Sequence, residues 1–370
     1  MMEQTPLLVS INIILFLILY TYVKPAYISG YLTKDRRKKT LFLVYLFCLF
    51  SFWGKDWFGY QGYFEEIQKG NQVSSMEDIY NWIGAYICPN YIFFRFYIWG
   101  MALFLFFRTV RLLKLDYDLS LFFFCSIYLI WFSYARVSLA MAVMFYGFAN
   151  FVTYKGNKKK LLGLILILLA YYLHKSAIFG IAIIILVGLM KRMGKYAIVI
   201  PIVMFPILLF FVRSNIGGFM DSLLTDEDNM LNEYATAGNS YLMSDSNLSG
   251  PGVLLQGFLE RAPYYLLAFC SIPIYFKKKI MVLNNIKPFF LILLLIVVFS
   301  SAFAFDLGMN TSTLYGRFLR FSQIPACIVL TFMYSNRILP KLTKIVINVS
   351  IISTFYSLIY VLYNSYVAQS

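Results

Sequence analysis

Long apolar runs separated by short basic segments recur along the whole chain. About 20 apolar residues cross the hydrocarbon core of a bilayer as one helix. We predict twelve such helices, at residues 7–22, 41–53, 91–108, 119–134, 137–154, 161–173, 177–190, 196–212, 253–276, 288–305, 314–334 and 345–362. The pattern therefore predicts an all-α, polytopic integral membrane bundle in which residues 1–370 form a single transmembrane domain.

The basic residues predict how these helices are oriented. Most of the 32 lysines and arginines, but few of the 17 acidic residues, fall in alternate loops between the apolar runs. Basic loops of membrane proteins stay in the cytoplasm, so both termini and the two long loops, 54–90 and 213–252, are predicted to be external. The net charge of +15 then orients the protein, and no nucleic-acid partner is expected.

The two long loops differ in composition. Loop 54–90 is aromatic and acidic, and the spacing of apolar residues over 76–86 predicts a short interfacial helix. Loop 213–252 is polar and rich in Asp, Asn, Ser and Gly, which is typical of a lid. Its Asp226-Glu227-Asp228 run matches an acidic metal-binding pattern but is more typical of a solvated acidic segment, so we expect no metal and no other cofactor.

Arg136 and His174, the only histidine, stand at the far ends of two apolar runs that a basic turn at 155–160 joins. The two runs predict a helical hairpin whose polar ends lie together on the external side. Charged side chains at membrane depth usually face a bundle interior or a water-filled cavity. The alternatives are a headgroup contact or an internal salt bridge for Arg136, and a helix cap for His174.

Other polar residues are predicted near the outer ends of helices. Arg317 and Arg320 are three residues apart and so share one helix face. Asp56, with Tyr60 and Tyr63 close by, is a candidate base beside a platform on which a sugar ring can stack, although an interfacial aromatic belt gives the same pattern. Two further cations complete the set of candidate binding residues, Arg95 and Lys175.

One stretch, from residue 136 to residue 178, resembles a known family. Its pattern is R-V-S-L-A-M-A, then Y-K-G-N-K-K-K-L-L, then Y-L-H-K-S-A-I. It is similar to the EpsG-like, Wzy-type bacterial polysaccharide polymerases, which show an arginine, a small-residue helix, a basic turn, an apolar helix and His-x-Ser-Ala. The segment at Asp56 and the L-Y-G-R-F-L-R-F segment around Arg317 fit the same resemblance, whereas Val137 departs from the family's usual glutamine.

The resemblance implies a polymerase that makes exopolysaccharide, capsule or O-antigen at the outer leaflet of the bacterial inner membrane. It would transfer a growing glycan from undecaprenyl diphosphate to the non-reducing end of a lipid-linked repeat unit. Arg136 and Arg317, assisted by Arg320, would bind the diphosphate, and His174 would act as base or phosphate donor, with Asp56 as the second candidate base. The implied partners are the undecaprenyl-diphosphate-linked oligosaccharide, membrane lipid, a flippase and a chain-length regulator.

Two other functions remain open from the residues alone. One is a different membrane glycosyl- or acyltransferase, such as an enzyme that resembles the O-antigen ligases. The other is a transporter of lipid-linked oligosaccharides. The chain lacks the nucleotide-binding G-x-x-x-x-G-K-[ST], the G-x-S-x-G of serine hydrolases and the H-E-x-x-H of zinc proteases, so those classes have no support.

Overall fold

The computed structural model describes residues 6–52, 55–73, 76–128, 135–175 and 312–367, with a few further residues within 177–185 and 259–270. All regular structure in these ranges is helical. The chain divides into two compact units, one formed by Met1–Ile181 with Ala326–Ser370 and the other by Ala182–Pro325. Most of the described residues belong to the first unit.

The described helices follow the apolar runs and add one helix that the pattern did not predict. In chain order they are α1 (Pro6–Ser29), α2 (Lys34–Leu49), α3 (Lys55–Gln68), α4 (Asp78–Tyr86), α5 (Tyr91–Leu112), α6 (Tyr117–Phe123, continued by a π-helical turn at Phe124–Tyr128), α7 (Ala135–Thr153), α8 (Asn157–Leu173), α9 (Ser312–Ser335) and α10 (Pro340–Val367).

Four helices among the described residues are long and apolar enough to cross a membrane. They are α1, α5, α7 and the Pro340–Tyr360 part of α10, and each coincides with a predicted span. Helix α2 has 16 residues and begins inside the charged segment at Lys34, so it is shorter in apolar length than a typical span. The twelve crossings and the external placement of the two long loops stay predictions.

An ion pair joins the start of α2, which is rich in basic residues, to the start of α6. Arg37, in the first turn of α2, donates two hydrogen bonds to the carboxylate of Asp118, at 2.5 and 2.6 Å. The same carboxylate accepts a hydrogen bond from the backbone N–H of Leu32. A carboxylate that accepts three hydrogen bonds is well satisfied when buried, so the pair fixes the start of α2 against the start of α6.

Helices α7 and α8 form the predicted hairpin, and two glycines let them touch. A Cβ atom on Gly147 would lie 2.7 Å from the carbonyl oxygen of Gly163, and one on Gly163 would lie 2.6 Å from that of Gly147. Small residues allow backbones in membrane bundles to approach this closely. Arg136 precedes Gly147 by eleven residues and His174 follows Gly163 by eleven, which places both about 16 Å from the crossing, at the same end of the hairpin.

The loop predicted at 54–90 contains two helices. Helix α4 confirms the predicted helix at 76–86, whereas α3 has no counterpart among the predictions. Helix α3 buries one face, formed by Trp57, Phe64 and Ile67, and ends before Gly70, whose φ of +87° suits a residue without a Cβ. It packs on α4 at Gly84, where a Cβ would lie 3.1 Å from the Ile67 side chain.

Candidate functional site

Arg136 lies at the centre of a cluster of polar and aromatic side chains that three helices contribute. It belongs to the first turn of α7 and is only 7% exposed. Its Nη1 atom lies 2.6 Å from Oε2 of Glu77, and its Nη2 atom donates a hydrogen bond of 2.9 Å to the hydroxyl of Tyr60. The arrangement corresponds to the salt bridge considered as one alternative for Arg136.

Two tyrosine rings flank this guanidinium. Its central carbon lies 4.4 Å from the ring centroid of Tyr60 and 5.9 Å from that of Tyr80, within the range of cation–π attraction. The ring of Tyr63 follows at 6.1 Å from that of Tyr60 and is 37% exposed. The predicted pair of tyrosines therefore forms an aromatic surface that runs from the buried arginine toward the outside of the unit.

Tyr80 contributes a hydroxyl that no described side chain contacts by a hydrogen bond. The residue is fully buried, and its hydroxyl has no hydrogen-bond partner among the residues that the structure describes. Burial raises the pKa of Tyr80 well above its ordinary value, and the carboxylate of Glu77 raises it as well, whereas Arg136 lowers it. The hydroxyl stays protonated near neutral pH and is available to donate a hydrogen bond to an anion that reaches the cluster.

Hydrogen bonds at the start of α4 surround Glu77. Glu77 is the N-cap residue of α4, and its carbonyl oxygen accepts a hydrogen bond from the backbone N–H of Tyr80. The side chain of Asn81 exchanges two hydrogen bonds of 3.1 Å with the backbone of Val73 and donates a third to the carbonyl of Met76. These bonds hold Val73 and Met76 beside the first turn of α4, next to Glu77, since they satisfy backbone groups that precede the helix.

His174 and Lys175 lie at the end of the hairpin that also carries Arg136. His174 is the C-cap of α8: its backbone N–H donates to the carbonyl of Ala170, and its own carbonyl accepts from the N–H of Ala177. Both His174 and Lys175 are half-buried. The backbone matches the cap considered for His174, and the side chain remains a candidate for chemistry.

Arg95 has a different environment from the one predicted for a substrate-binding residue. It is 1% exposed, and its guanidinium donates hydrogen bonds of 2.8 Å to the carbonyl oxygens of Leu49 and Cys48, with further bonds to Ser51 and Tyr91. These carbonyls belong to the last turn of α2, where no intrahelical donor is available. The geometry favours a structural role, in which Arg95 caps α2.

Three other predicted residues are placed only by their helices. Asp56 is the second residue of α3, and Arg317 and Arg320 lie in α9, which confirms that the two arginines are on one helix. Their side chains fall outside the described part of the structure, as do loop 213–252 and its acidic run at Asp226–Asp228. Among the described residues no three His, Cys, Asp or Glu side chains are grouped so that they could hold a metal ion.

Sequence reasoning missed Glu77 and Tyr80. The signal that points to them is the predicted helix at 76–86, because an acidic residue at its start and a tyrosine three residues later lie on one face. Nothing in the spacing shows that this face meets Arg136, which is 59 residues further along the chain. That contact exists only in the tertiary structure.

No curated protein and no solved structure matches the chain. The model of the EpsG family matches residues 39–370, which include every helix described above except α1 and the charged first turn of α2. This agrees with the resemblance seen at residues 136–178. The chain therefore belongs to the EpsG family, which indicates a membrane protein of the polysaccharide-polymerase type.

Proposed function

We propose that the protein is a polysaccharide polymerase of the bacterial cytoplasmic membrane. It transfers a growing glycan from undecaprenyl diphosphate to a non-reducing-end hydroxyl of an incoming lipid-linked repeat unit at the outer leaflet. The observation that carries this proposal is the buried Arg136 guanidinium, which pairs with Glu77 and lies within cation–π distance of the rings of Tyr60 and Tyr80. Family membership supports the same class of reaction.

The reaction needs a cation where the leaving group departs. The acceptor hydroxyl oxygen bonds to the anomeric carbon of the donor sugar, while the bond from that carbon to the diphosphate breaks. Undecaprenyl diphosphate leaves with the bonding electron pair, and its oxygens gain negative charge. Arg136 presents a planar fork of donors that suits phosphate oxygens, and the free hydroxyl of Tyr80 adds a neutral donor beside it.

Glu77 has two roles in this proposal. Its carboxylate occupies the anion position on Arg136 until a phosphate group takes over that contact. Once displaced, the same carboxylate is one candidate to accept the proton of the attacking hydroxyl. His174 and Asp56 are the other candidate bases, and His174 can instead donate to a phosphate oxygen.

The proposal assigns the remaining predicted residues as binding groups. Tyr60 and Tyr63 offer aromatic faces on which the sugar rings of the repeat unit can stack. We propose further that Arg317, Arg320 and Lys175 supply cations for the diphosphate, and that a flippase and a chain-length regulator act with the protein. Arg95 is left out of the binding set because its donors are used by the end of α2.

The test uses cells whose own copy of the gene is replaced by Arg136→Ala or His174→Ala. We expect polymer to be lost and the single-repeat lipid intermediate to accumulate, with the protein present in the membrane at the wild-type level. Lys158→Ala is the matched control, because Lys158 is exposed at the opposite end of the hairpin. Full-length polymer from both site variants would overturn the proposal.

A second experiment separates the polymerase from the alternatives. The purified protein in lipid nanodiscs receives the lipid-linked repeat unit alone. A polymerase produces a ladder of products that differ by one repeat. A ligase-like enzyme leaves the repeat unit unextended until a different acceptor is added, and a transporter moves it across a vesicle membrane without extending it.

A further inference from the structure

A cavity of about 400 Å³ opens between α2 and α5, away from the cluster at Arg136. Its walls are mostly apolar and aromatic, with Tyr45 from α2 and Phe96 and Phe104 from α5 among them. Arg108 and Arg111 line it at the end where α5 terminates. From Phe96 to Arg108 the groove follows α5 for about 18 Å, which is close to the thickness of one leaflet of hydrocarbon, about 15 Å.

The hydroxyl of Tyr45, in the apolar part of the groove, does not require a water molecule as a hydrogen-bond partner. The hydroxyl of Tyr45 donates a hydrogen bond of 2.7 Å to the carbonyl of Phe96, so it is already satisfied. Gly100 leaves the middle of the groove open. Of the described residues, only Tyr45 would lie within 4 Å of a Cβ at this position, with its hydroxyl at 3.7 Å. A larger side chain at Gly100 would occupy the space itself.

Among the described residues, no carboxylate forms an ion pair with the cations at the end of the groove. Arg108 and Arg111 are exposed and contact aromatic rings, at 5.5 and 5.2 Å from the respective ring centroids. None of the ion pairs found among the described residues includes either arginine. The nearby carboxylate of Asp118 binds Arg37 with both of its oxygens. Two positive charges therefore remain at the mouth of an apolar groove.

We propose that the groove binds one acyl chain of an anionic phospholipid whose phosphate lies between Arg108 and Arg111. The length of the groove matches one leaflet, so with α5 across the membrane the arginines at its end would lie at the level of the headgroups. Clustered cations beside a membrane attract anionic lipid. The site is on the end of α5 that the charge distribution predicts to be cytoplasmic, so this lipid is in the leaflet opposite to the proposed substrate and has a separate role from it.

The test measures lipid binding to purified, delipidated full-length protein by native mass spectrometry. The probes are phosphatidylglycerol and phosphatidylcholine with identical acyl chains. Arg108→Gln/Arg111→Gln should weaken phosphatidylglycerol binding by about tenfold or more and leave phosphatidylcholine binding unchanged. Gly100→Leu should weaken binding of both lipids, because it fills the part of the groove that an acyl chain would occupy.

Lys155→Gln/Lys158→Gln is the control, since it removes the same charge from two exposed lysines, one before α8 and one in its first turn. It should bind both lipids like the wild type.

Equal binding of both lipids by the wild type, or unchanged phosphatidylglycerol binding by the double arginine variant, would overturn the proposal. The proposal would also be overturned if Gly100→Leu left lipid binding unchanged and removed only a dimer peak from the mass spectrum. The groove would then be an interface between two copies of the chain. Inorganic phosphate at millimolar concentration should not displace the lipid, and displacement would also count against it.

Discussion

Nη1 of Arg136 and Oε2 of Glu77 lie 2.6 Å apart, and both side chains are nearly buried. The arginine comes from α7, whereas the carboxylate comes from the start of α4, in the loop predicted to be external. Removing one partner of a buried ion pair leaves the other charge uncompensated, at a typical cost of about 3–5 kcal/mol. An anionic substrate that takes over the contact avoids this cost, so the pair is suited to an exchange of one anion for another.

The first prediction concerns Glu77→Gln, which keeps the shape of the side chain and removes its charge. We expect the apparent KM for the lipid-linked repeat unit to fall by about tenfold, because the competing carboxylate is absent. The elongation rate should fall as well if Glu77 accepts the proton. Both values come from ladder formation by protein in nanodiscs.

Glu66→Gln serves as the control for this change. Glu66 lies in the same loop and is also ion-paired, but its partner is Lys69 and its side chain is 45% exposed. It should leave both constants unchanged. A higher KM for Glu77→Gln, with the elongation rate intact, would contradict the exchange.

The second prediction concerns Tyr80→Phe. The substitution removes a buried hydroxyl that has no partner in the described part of the chain, and such a group typically costs about 1–3 kcal/mol. The variant should therefore melt at the same temperature as the wild type or higher. Ladder formation should nevertheless slow, because the hydroxyl is proposed to donate to the diphosphate.

Tyr86→Phe, at an exposed position of the same helix, should change neither property. If Tyr80→Phe extends glycan at the wild-type rate, the hydroxyl has no part in binding the leaving group. Measuring melting temperature and ladder formation on one preparation keeps the two effects separate.

The third prediction concerns the glycine crossing. Gly147→Ala places a methyl group 2.7 Å from a backbone oxygen of α8, and a backbone atom cannot rotate away as a side chain can. Overpacking of this kind typically costs about 1–3 kcal/mol, so the melting temperature should fall by several degrees. Gly59→Ala is the control, because it adds the same methyl group to α3 where nothing lies within 4 Å. An unchanged melting temperature for Gly147→Ala would mean that the helices are not this close.

The fourth prediction decides between the two roles considered for Arg95. In Arg95→Gln the carbonyls of Cys48 and Leu49 lose their charged donors, and we expect lower accumulation and a lower melting temperature. Lys158→Gln, which removes an exposed cation at the start of α8, should leave the melting temperature unchanged. A stable Arg95→Gln variant that fails only to bind the repeat unit would restore the substrate-binding role.

The hairpin could be predicted because its evidence is local. A basic turn between two apolar runs places Arg136 and His174 at one end whatever the rest of the chain does. The contact between Gly147 and Gly163 was not predicted. A glycine in an apolar run can have several structural roles, and which one it has depends on the helix that packs against it.

The partners of the arginines could not be predicted, because they come from distant segments. Arg95 looked like a cation near a membrane surface, whereas its acceptors are the last carbonyls of α2, which exist in every helix and leave no trace in the sequence. Helix α3 was missed because Gly59 and Gly62 interrupt a short segment of mixed polarity. Its burial of Trp57 and Phe64 depends on α5, which follows it in the chain.

The crossing at Gly147 and Gly163 also has a mechanical consequence. Each glycine lies eleven residues from the residue at the polar end of its helix, so both helices act there as lever arms of equal length, about 16 Å. A change of ten degrees in the crossing angle would shift Arg136 relative to His174 by about 3 Å. That displacement is about the length of a hydrogen bond, so a small rotation about the two glycines would be enough to make or break the phosphate contact that we propose for both residues.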